Sequence, residues 1–279
     1  MVLHTGAVAY SEWPLDPGAF SAYYSFAPTA LALRECVRLQ AVRELDLPAP
    51  VLDVGCGDGL FARLAWPGKQ TWGIDINPSE VQRAQSTQAY NTLVCGNICT
   101  VDLPKAFFGS AVANCSLEHV PDLAGALANI RSSLRPGAPF ALIVPTPTWT
   151  SELALPKLLS KMGMHGLARA YGEALDQVFR HVHLYDDATW IRHLHTAGFE
   201  EVEVRPVAGR RVSFAFDAML VPSLVGYLNK RITGRWVLVP PLRPFTVDAI
   251  RGMLNRCTSV IPEREAPSSE YLLVCRAAP

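Results

Sequence analysis

Asp53, Gly55, Gly57 and Gly59 fall within Val51-Leu52-Asp53-Val54-Gly55-Cys56-Gly57-Asp58-Gly59, an apolar run that closes in a glycine-rich turn. Glycines in this GxGxG spacing let the chain turn tightly, adopt positive φ and bring its backbone close to a ligand. Such a turn feeds a helix start whose free amides can face polar ligand atoms. Asp53, at the strand end, is an acceptor for an ammonium group, whereas a pyrophosphate beside it would be unfavourable. Gly73-Ile74-Asp75 ends the next apolar run. A carboxylate about twenty residues past the first glycines can accept both hydroxyls of a ribose. Gly96-Asn97-Ile98 closes a third run. There Asn97 could bond an exocyclic amine and Ile98 could pack on a purine ring.

A fourth run ends in Asn114-Cys115-Ser116-Leu117-Glu118-His119. His119 is a candidate base, because an imidazole titrates near working pH. The alternative is that Glu118 and His119 cap the following helix or shape the floor of a pocket. In Phe179-Arg180-His181-Val182-His183-Leu184-Tyr185, three polar rings stand at alternate positions. They share one face if the run is extended. His183 then either faces a reacting group or docks this segment by a buried hydrogen bond, the latter being the reading for Tyr185. His193 and His195 alternate within a helical stretch and point different ways, so no metal site is assigned.

The elements that must hold these groups alternate. Apolar runs at 51–55, 71–76, 92–96, 110–116 and 139–145 read as strands, with helices at 60–65, from Pro78, and from Pro121 to Leu134. Strands separated by helices imply βαβ units and a parallel sheet. Before them, residues 1–20 read as an irregular lead-in and 21–46 as one helix. After them come a helix at 187–197, a strand with two-residue alternation at 200–206 and a last strand at 270–277.

This ordered set resembles the class I S-adenosylmethionine-dependent methyltransferases, over residues 50–145 and again over 180–206. DVGCGDG is similar to their glycine-rich motif, GID to their acidic ribose motif and LRPG to their turn before the fifth strand. SLEHVPD resembles the loop after the fourth strand in the UbiE-like (type 11) branch, which acts on small molecules and lipids. The resemblance implies a Rossmann-like, doubly wound α/β fold with a seven-stranded, mostly parallel sheet and an antiparallel last strand. It implies S-adenosyl-L-methionine as cofactor, with Asp53, Gly55, Cys56 and Gly57 around the methionine end. Asp75 and Ile76 would hold the ribose and Asn97 and Ile98 the adenine, with Cys115 and Ser116 bordering the crevice. The family more often has Asp where Asn97 stands. His119, Glu118 and His183 are the catalytic candidates. A NPPY motif, typical of enzymes that methylate amino groups of DNA bases, is absent after the fourth strand.

The expected organisation is one domain over 1–279: a helical lid (1–49), a cofactor-binding half (50–145), a cap insertion (146–186), the end of the sheet (187–206 and 269–279) and an apolar insertion (207–268). With 49% hydrophobic and 18% charged residues, the chain can bury a large core. Its 25 basic and 25 acidic residues leave no surplus for a nucleic acid. The seven cysteines form no CxxC pair and suit a reducing cytoplasm. The N-terminus lacks the basic and apolar regions of a signal peptide.

Substrate choice is expected in the segments outside the sheet. Tyr10, Trp13, Phe20, Tyr23, Tyr24 and Phe26 make the N-terminal segment aromatic. They either stack on a planar or prenyl substrate or pack a helix on the domain. VSFAFDAMLVPSLVGYLN (212–229) carries one charge, Asp217, and is followed by Lys230, Arg231 and Arg235. Asp217 and Pro222 argue against a spanning helix. The segment 212–240 then either caps a greasy pocket or forms a dimer contact, or it lies on an anionic membrane surface. Either way the acceptor is expected to be a small hydrophobic metabolite: a lipid, isoprenoid, quinone or secondary metabolite. Two rival readings stand beside this one, a non-catalytic scaffold or regulator built on the cofactor fold and a NAD-binding oxidoreductase.

Overall fold

The apolar runs form a single seven-stranded sheet in a computed structural model that describes residues 14–233, 237, 239–258 and 268–279. The strands are β1 (Val51–Val54), β2 (Thr71–Asp75), β3 (Thr92–Cys95), β4 (Ser110–Asn114), β5 (Pro139–Pro145), β6 (Phe199–Pro206) and β7 (Glu270–Ala277). Their order is β3-β2-β1-β4-β5-β7-β6. β1 to β5 are parallel, and β7 runs antiparallel to both its neighbours, β5 and β6. The order reverses between β1 and β4, and a crevice for ligands opens at the carboxyl ends of strands at such a point.

Both faces of the sheet are covered, which explains why its central strands read as unbroken apolar runs. Alternate residues feed opposite cores. Val112, Ala141, Ile143 and Leu272 pack beneath α2 (Thr29–Arg43), α3 (Leu60–Ala65), α9 (Arg210–Thr233) and α10 (Arg243–Thr258). Ala111, Phe140, Leu142 and Leu273 pack beneath α5 (Leu123–Ser133) and α8 (Asp187–Thr196). Each fully buried Leu, Ile or Phe here contributes about 1.5–3 kcal/mol.

The N-terminal segment departs from the sequence reading. Two helices, α1 (Pro17–Tyr24) and α2, replace the single one, with Pro28 in extended conformation between them. A proline has no N–H to continue a helix. α1 also begins inside the expected irregular lead-in. Asp16 caps it, its Oδ1 accepting the Ala19 N–H at 2.6 Å, and Pro17 sits at the first turn. Of the expected aromatic lid, Phe20, Tyr23 and Tyr24 are buried core residues and Phe26 is exposed. Tyr10 and Trp13 lie outside the described residues.

The segment expected as a cap carries two helices, α6 (Ala154–Lys161) and α7 (His165–Phe179). The apolar run 212–229 belongs to α9, which continues through Pro222 and packs on α2. Val212, Ser213, Phe216 and Asp217 are buried, so the first half of that run serves the core. Lys230, Arg231 and Arg235 lie outside the described side chains. Among the described residues, no helix is long and apolar enough to cross a membrane.

The one charged residue in that run fastens the cap. Asp217 accepts the Leu155 N–H at the start of α6 at 2.6 Å and the Tyr171 hydroxyl of α7 at 2.5 Å. Asp217→Ala leaves both donors without their acceptor, at a cost of about 2–4 kcal/mol. Protease digestion should then cut within 154–179 much faster than in the parent, while the sheet keeps its amide protection.

A buried guanidinium ties the layers together. Arg34 of α2 lies 3.8 Å from the Phe216 ring centre and 5.3 Å from that of Trp149. Its Nη1 meets Glu270 of β7 at 3.0 Å, and Arg38 shares the same carboxylate. Two cations therefore hold the Glu270 carboxyl below its usual range despite burial.

Candidate active site

β1 is buried along its whole length and delivers Asp53 to the crevice; the turn after it passes through Gly55 and Gly57. Gly55 has φ +73°, and a Cβ there would lie 2.4 Å from Ser116 Cβ. Ser116 is itself fixed, its hydroxyl donating to the Val54 carbonyl at 2.6 Å. Gly55→Ala combines left-handed strain with this clash. We expect a loss of about 2–4 kcal/mol in unfolding free energy, read by urea titration. Gly57, at φ +52°, differs: a Cβ would meet nothing within 4 Å. That open space faces a cavity of about 330 Å³ lined by Asp53, Gly55, Cys56 and Gly57.

Asp53 is buried and accepts the Tyr90 hydroxyl on Oδ2 at 2.7 Å. Burial pushes its carboxyl up to about 7, opposed by the Tyr90 hydrogen bond and aided by the charge of Asp75. Two further groups line the same cavity with buried atoms lacking a partner, the Tyr23 hydroxyl and Asn114 Oδ1. Glu35 borders it and accepts Asn114 Nδ2 at 3.0 Å. Acceptors for an ammonium (Asp53, Asn114, Glu35) thus stand near a hydroxyl donor for a carboxylate (Tyr23), a set that fits an amino-acid head group.

The second cavity, about 510 Å³, shares Gly55 with the first and holds the other predicted groups: Asp75, Ile76, Asn97, Ile98, Cys115, Ser116 and His119. Asp75 accepts the Gly57 N–H on Oδ2 at 2.9 Å and the Asn77 N–H on Oδ1 at 2.8 Å. The same carboxylate that would meet a ribose therefore also sets the glycine turn. Asn97 Oδ1 accepts the Cys99 N–H at 2.9 Å, which turns the chain under the purine position. Ile98 is buried and Ile76 exposed. Cys115 holds φ +48° and is half-buried at the cavity wall, and desolvation pushes its thiol well above its ordinary value. The ten predicted cofactor residues all line one cavity or the other.

The catalytic candidates separate. His119 lines the larger cavity; its Nδ1 faces the Arg180 carbonyl at 3.1 Å, which assigns the proton there. Nε2 then carries the lone pair, 3.7 Å from Glu118 Oε1. Burial lowers the His119 pKa, so the ring is neutral at pH 7 and able to accept a proton. Glu118 is buried behind it and lines neither cavity. Desolvation pushes its carboxyl up to about 8, and Oε2 has no partner. Its backbone carbonyl accepts the Val182 and His183 N–H groups at 2.9 and 3.0 Å. His183 lines neither cavity, its Nε2 donating to the Val120 carbonyl at 2.8 Å. This ring docks the cap's return segment. Among the described residues, no group of three His, Cys, Asp or Glu could hold a metal ion.

Sequence reasoning missed Tyr90, which precedes β3 without any pattern to mark it. It named Tyr23 only as one aromatic among several. His181, one of the three polar rings expected on a shared face, has Nδ1 3.2 Å from Asp176 Oδ1 and stacks on His119 with ring centres 5.6 Å apart.

A Rossmann-like sheet with a glycine turn and two strand-end carboxylates borders two cavities that meet at Gly55, one lined by groups suited to a nucleoside and the other by groups suited to an amino-acid head group. S-adenosylmethionine joins those two parts, and the open space at Gly57 and the partnerless Tyr23 and Asn114 atoms fit its methionine end. The model of a methyltransferase-domain family matches residues 29–204, and the chain belongs to that family. An uncharacterized methyltransferase of Mycobacterium tuberculosis is 38% identical over 96 residues, covering 33% of this chain and 49% of that one. A malonyl-[acyl-carrier protein] O-methyltransferase of Pseudescherichia vulneris is 34% identical over 96 residues, covering 34% and 38%. The chain thus spans half or less of these relatives' lengths. A solved S-adenosylmethionine-dependent methyltransferase of Thermotoga maritima superposes with TM-score 0.58 at 14% identity, covering 93% of this chain and 95% of that one. The [4+2]-cyclase SpnF superposes with TM-score 0.55 at 17% identity, covering 87% and 81%. The sheet is thus shared by proteins named for different reactions, and the reaction must be argued from the site.

Proposed function

We propose that the protein transfers a methyl group from S-adenosylmethionine to a small hydrophobic metabolite. The observation that carries the reading is the pair of cavities joined at Gly55, with Asp53 in one and Asp75 in the other. Asp53 and Asn114 would take the ammonium, Tyr23 the carboxylate, Asp75 the ribose and Asn97 with Ile98 the purine. When bound, the cofactor supplies a methyl group on a sulfonium, already a strong electrophile. The protein has then to align the acceptor and exclude water. His119 Nε2 is placed to accept a proton from a hydroxyl or acidic carbon; an amine or thiolate needs no base. The Glu118 backbone carbonyl, which accepts the Val182 and His183 N–H groups, and the His183 ring on the Val120 carbonyl hold the loop that carries His119. An apolar acceptor is supported by the buried cluster of Trp149, Leu153 and Phe216, beside which His181 stacks on His119.

Calorimetric titration with S-adenosylhomocysteine, with NAD as control, tests the cofactor. Binding of the first alone is expected, adding about 2.7 kcal/mol of stability at a hundredfold excess over Kd. Asp75→Ala should weaken that binding at least tenfold with the sheet intact, because the carboxylate serves both ribose and turn. Acceptors are then screened by mass gain of one methyl. Binding of neither ligand would favour the scaffold or regulator reading.

A further inference from the structure

The outer face of the cap carries a surface that the methyl-transfer reading does not use. Leu155, Leu158 and Met162 stand at i, i+3 and i+7 along α6 and its cap, so they form one stripe. All three are exposed, Leu158 at 55% and Met162 at 63%. The inner side of the cap already has its partners in Trp149 and Phe216, packed by Tyr171 and Leu175. The outer stripe is therefore not the half-finished edge of a core.

A cleft of about 430 Å³ borders this stripe at Leu158, where α6 meets the start of α9. It is lined by Ala154, Lys157, Leu158, Lys161, Arg210 and Phe214, three cations and no acidic side chain. Lys157 is paired with Glu152. Lys161 and Arg210 are exposed and have no carboxylate within ion-pair distance among the described residues. In a chain of zero formal net charge, this is a local cation surplus around exposed Leu, Met and Phe. Apolar side chains ringed by lysine and arginine complement one environment in particular, the boundary between acyl chains and anionic headgroups.

We propose that the α6–α9 face docks the protein on an anionic lipid surface, with Leu158, Met162 and Phe214 entering the acyl boundary and Lys161 and Arg210 meeting the headgroups. This shifts the lipid contact away from the long apolar run of α9, whose buried residues face α2, and leaves Phe214 as that run's contribution. It also places the cap, which roofs the apolar cluster near His119, against the phase in which a hydrophobic acceptor dissolves. The docking face itself does not depend on the methyl-transfer reading.

Vesicle flotation of the full chain tests it. The probes are phosphatidylcholine vesicles and vesicles of equal parts phosphatidylcholine and phosphatidylglycerol, at low and at high salt. Binding to the anionic vesicles is expected, with little to the neutral ones and a marked loss at high salt. K161E/R210E should lower the partition coefficient at least twenty-fold, since each cation near such a surface is worth about fivefold. L158D/M162D, on exposed positions, should release the protein as well. Circular dichroism and S-adenosylhomocysteine titration confirm that both variants remain folded and keep the cofactor site. No binding to anionic vesicles, equal binding to neutral ones, or binding unchanged in both variants would overturn the proposal. So would indifference to vesicles combined with capture of a purified acidic acyl carrier protein that K161E/R210E abolishes. That result would assign the face to a protein partner.

Discussion

Between pH 7 and pH 5, the affinity for S-adenosylhomocysteine is expected to fall about fiftyfold, and Asp53→Asn is expected to flatten that dependence. Burial holds the Asp53 carboxyl at about 7 in the free protein, so below that pH the group is neutral. An ammonium ligand favours the carboxylate, and binding must then expel a proton. With one proton coupled, affinity falls close to tenfold per unit of pH below 7 and levels off above it. The ligand's own amino group, that of a free amino acid beside its carboxylate, keeps its proton throughout this range. Asp53→Asn keeps an oxygen for the Tyr90 hydroxyl and removes the titration. The variant should bind weakly at every pH, and calorimetry in buffers of different ionisation enthalpy should show no proton release. A parent protein whose affinity is flat from pH 5 to 7 would remove Asp53 from the ammonium site.

Glu118→Gln should stabilise the protein at pH 8 while leaving it nearly unchanged at pH 4.5. The side chain is buried, and desolvation raises its carboxyl to about 8. In the unfolded chain the same group titrates near 4.5. Between those two values the native state keeps a proton that the unfolded state has lost, so stability falls as pH rises. The difference amounts to roughly 4 kcal/mol across the window. An amide of the same shape cannot ionise and escapes this loss. Urea midpoints at pH 4.5 and pH 8 provide the measurement. A variant that is less stable than the parent at pH 8 would mean that the carboxylate form is matched in the fold, for example by Arg38. If methyl transfer to a hydroxyl also falls in this variant, Glu118 acts on His119 through their 3.7 Å contact.

The sheet and the cofactor crevice were legible because strand ends and turns are local. GxGxG, GID and GNI mark positions where the chain itself must bend, and the two cavities run through those residues. Buried parallel strands likewise announce themselves as unbroken apolar runs, and β5 matches the run at 139–145 to the residue, as antiparallel β7 matches 270–277. The helix start at Asp16-Pro17 is also written in the chain, as a cap followed by a proline, although residues 1–20 read as an irregular lead-in. Tertiary partners were not legible. That Tyr90 reaches Asp53, 37 positions away, depends on how the loop before β3 folds back over Gly73. From sequence His183 could equally face a reactant; in the fold its Nε2 donates to the Val120 carbonyl, 63 positions away. Asp217 read as a lone charge in an apolar helix because its two donors, Leu155 and Tyr171, come from helices 46 or more positions away.

β7 lies between β5 and β6, although it is made last of the three. During synthesis β6 ends at Pro206 and β7 begins at Glu270. At ribosomal rates of about 5–20 residues per second, the intervening segment takes roughly 3–13 seconds to emerge. For that time β5 presents an unpaired edge to the cell, and the slot beside it stays open. Arg34, made long before, waits for the carboxylate of Glu270 that opens the same strand. Until β7 emerges the sheet cannot close, and a chaperone or a second copy of the chain competes with its own last strand for the gap.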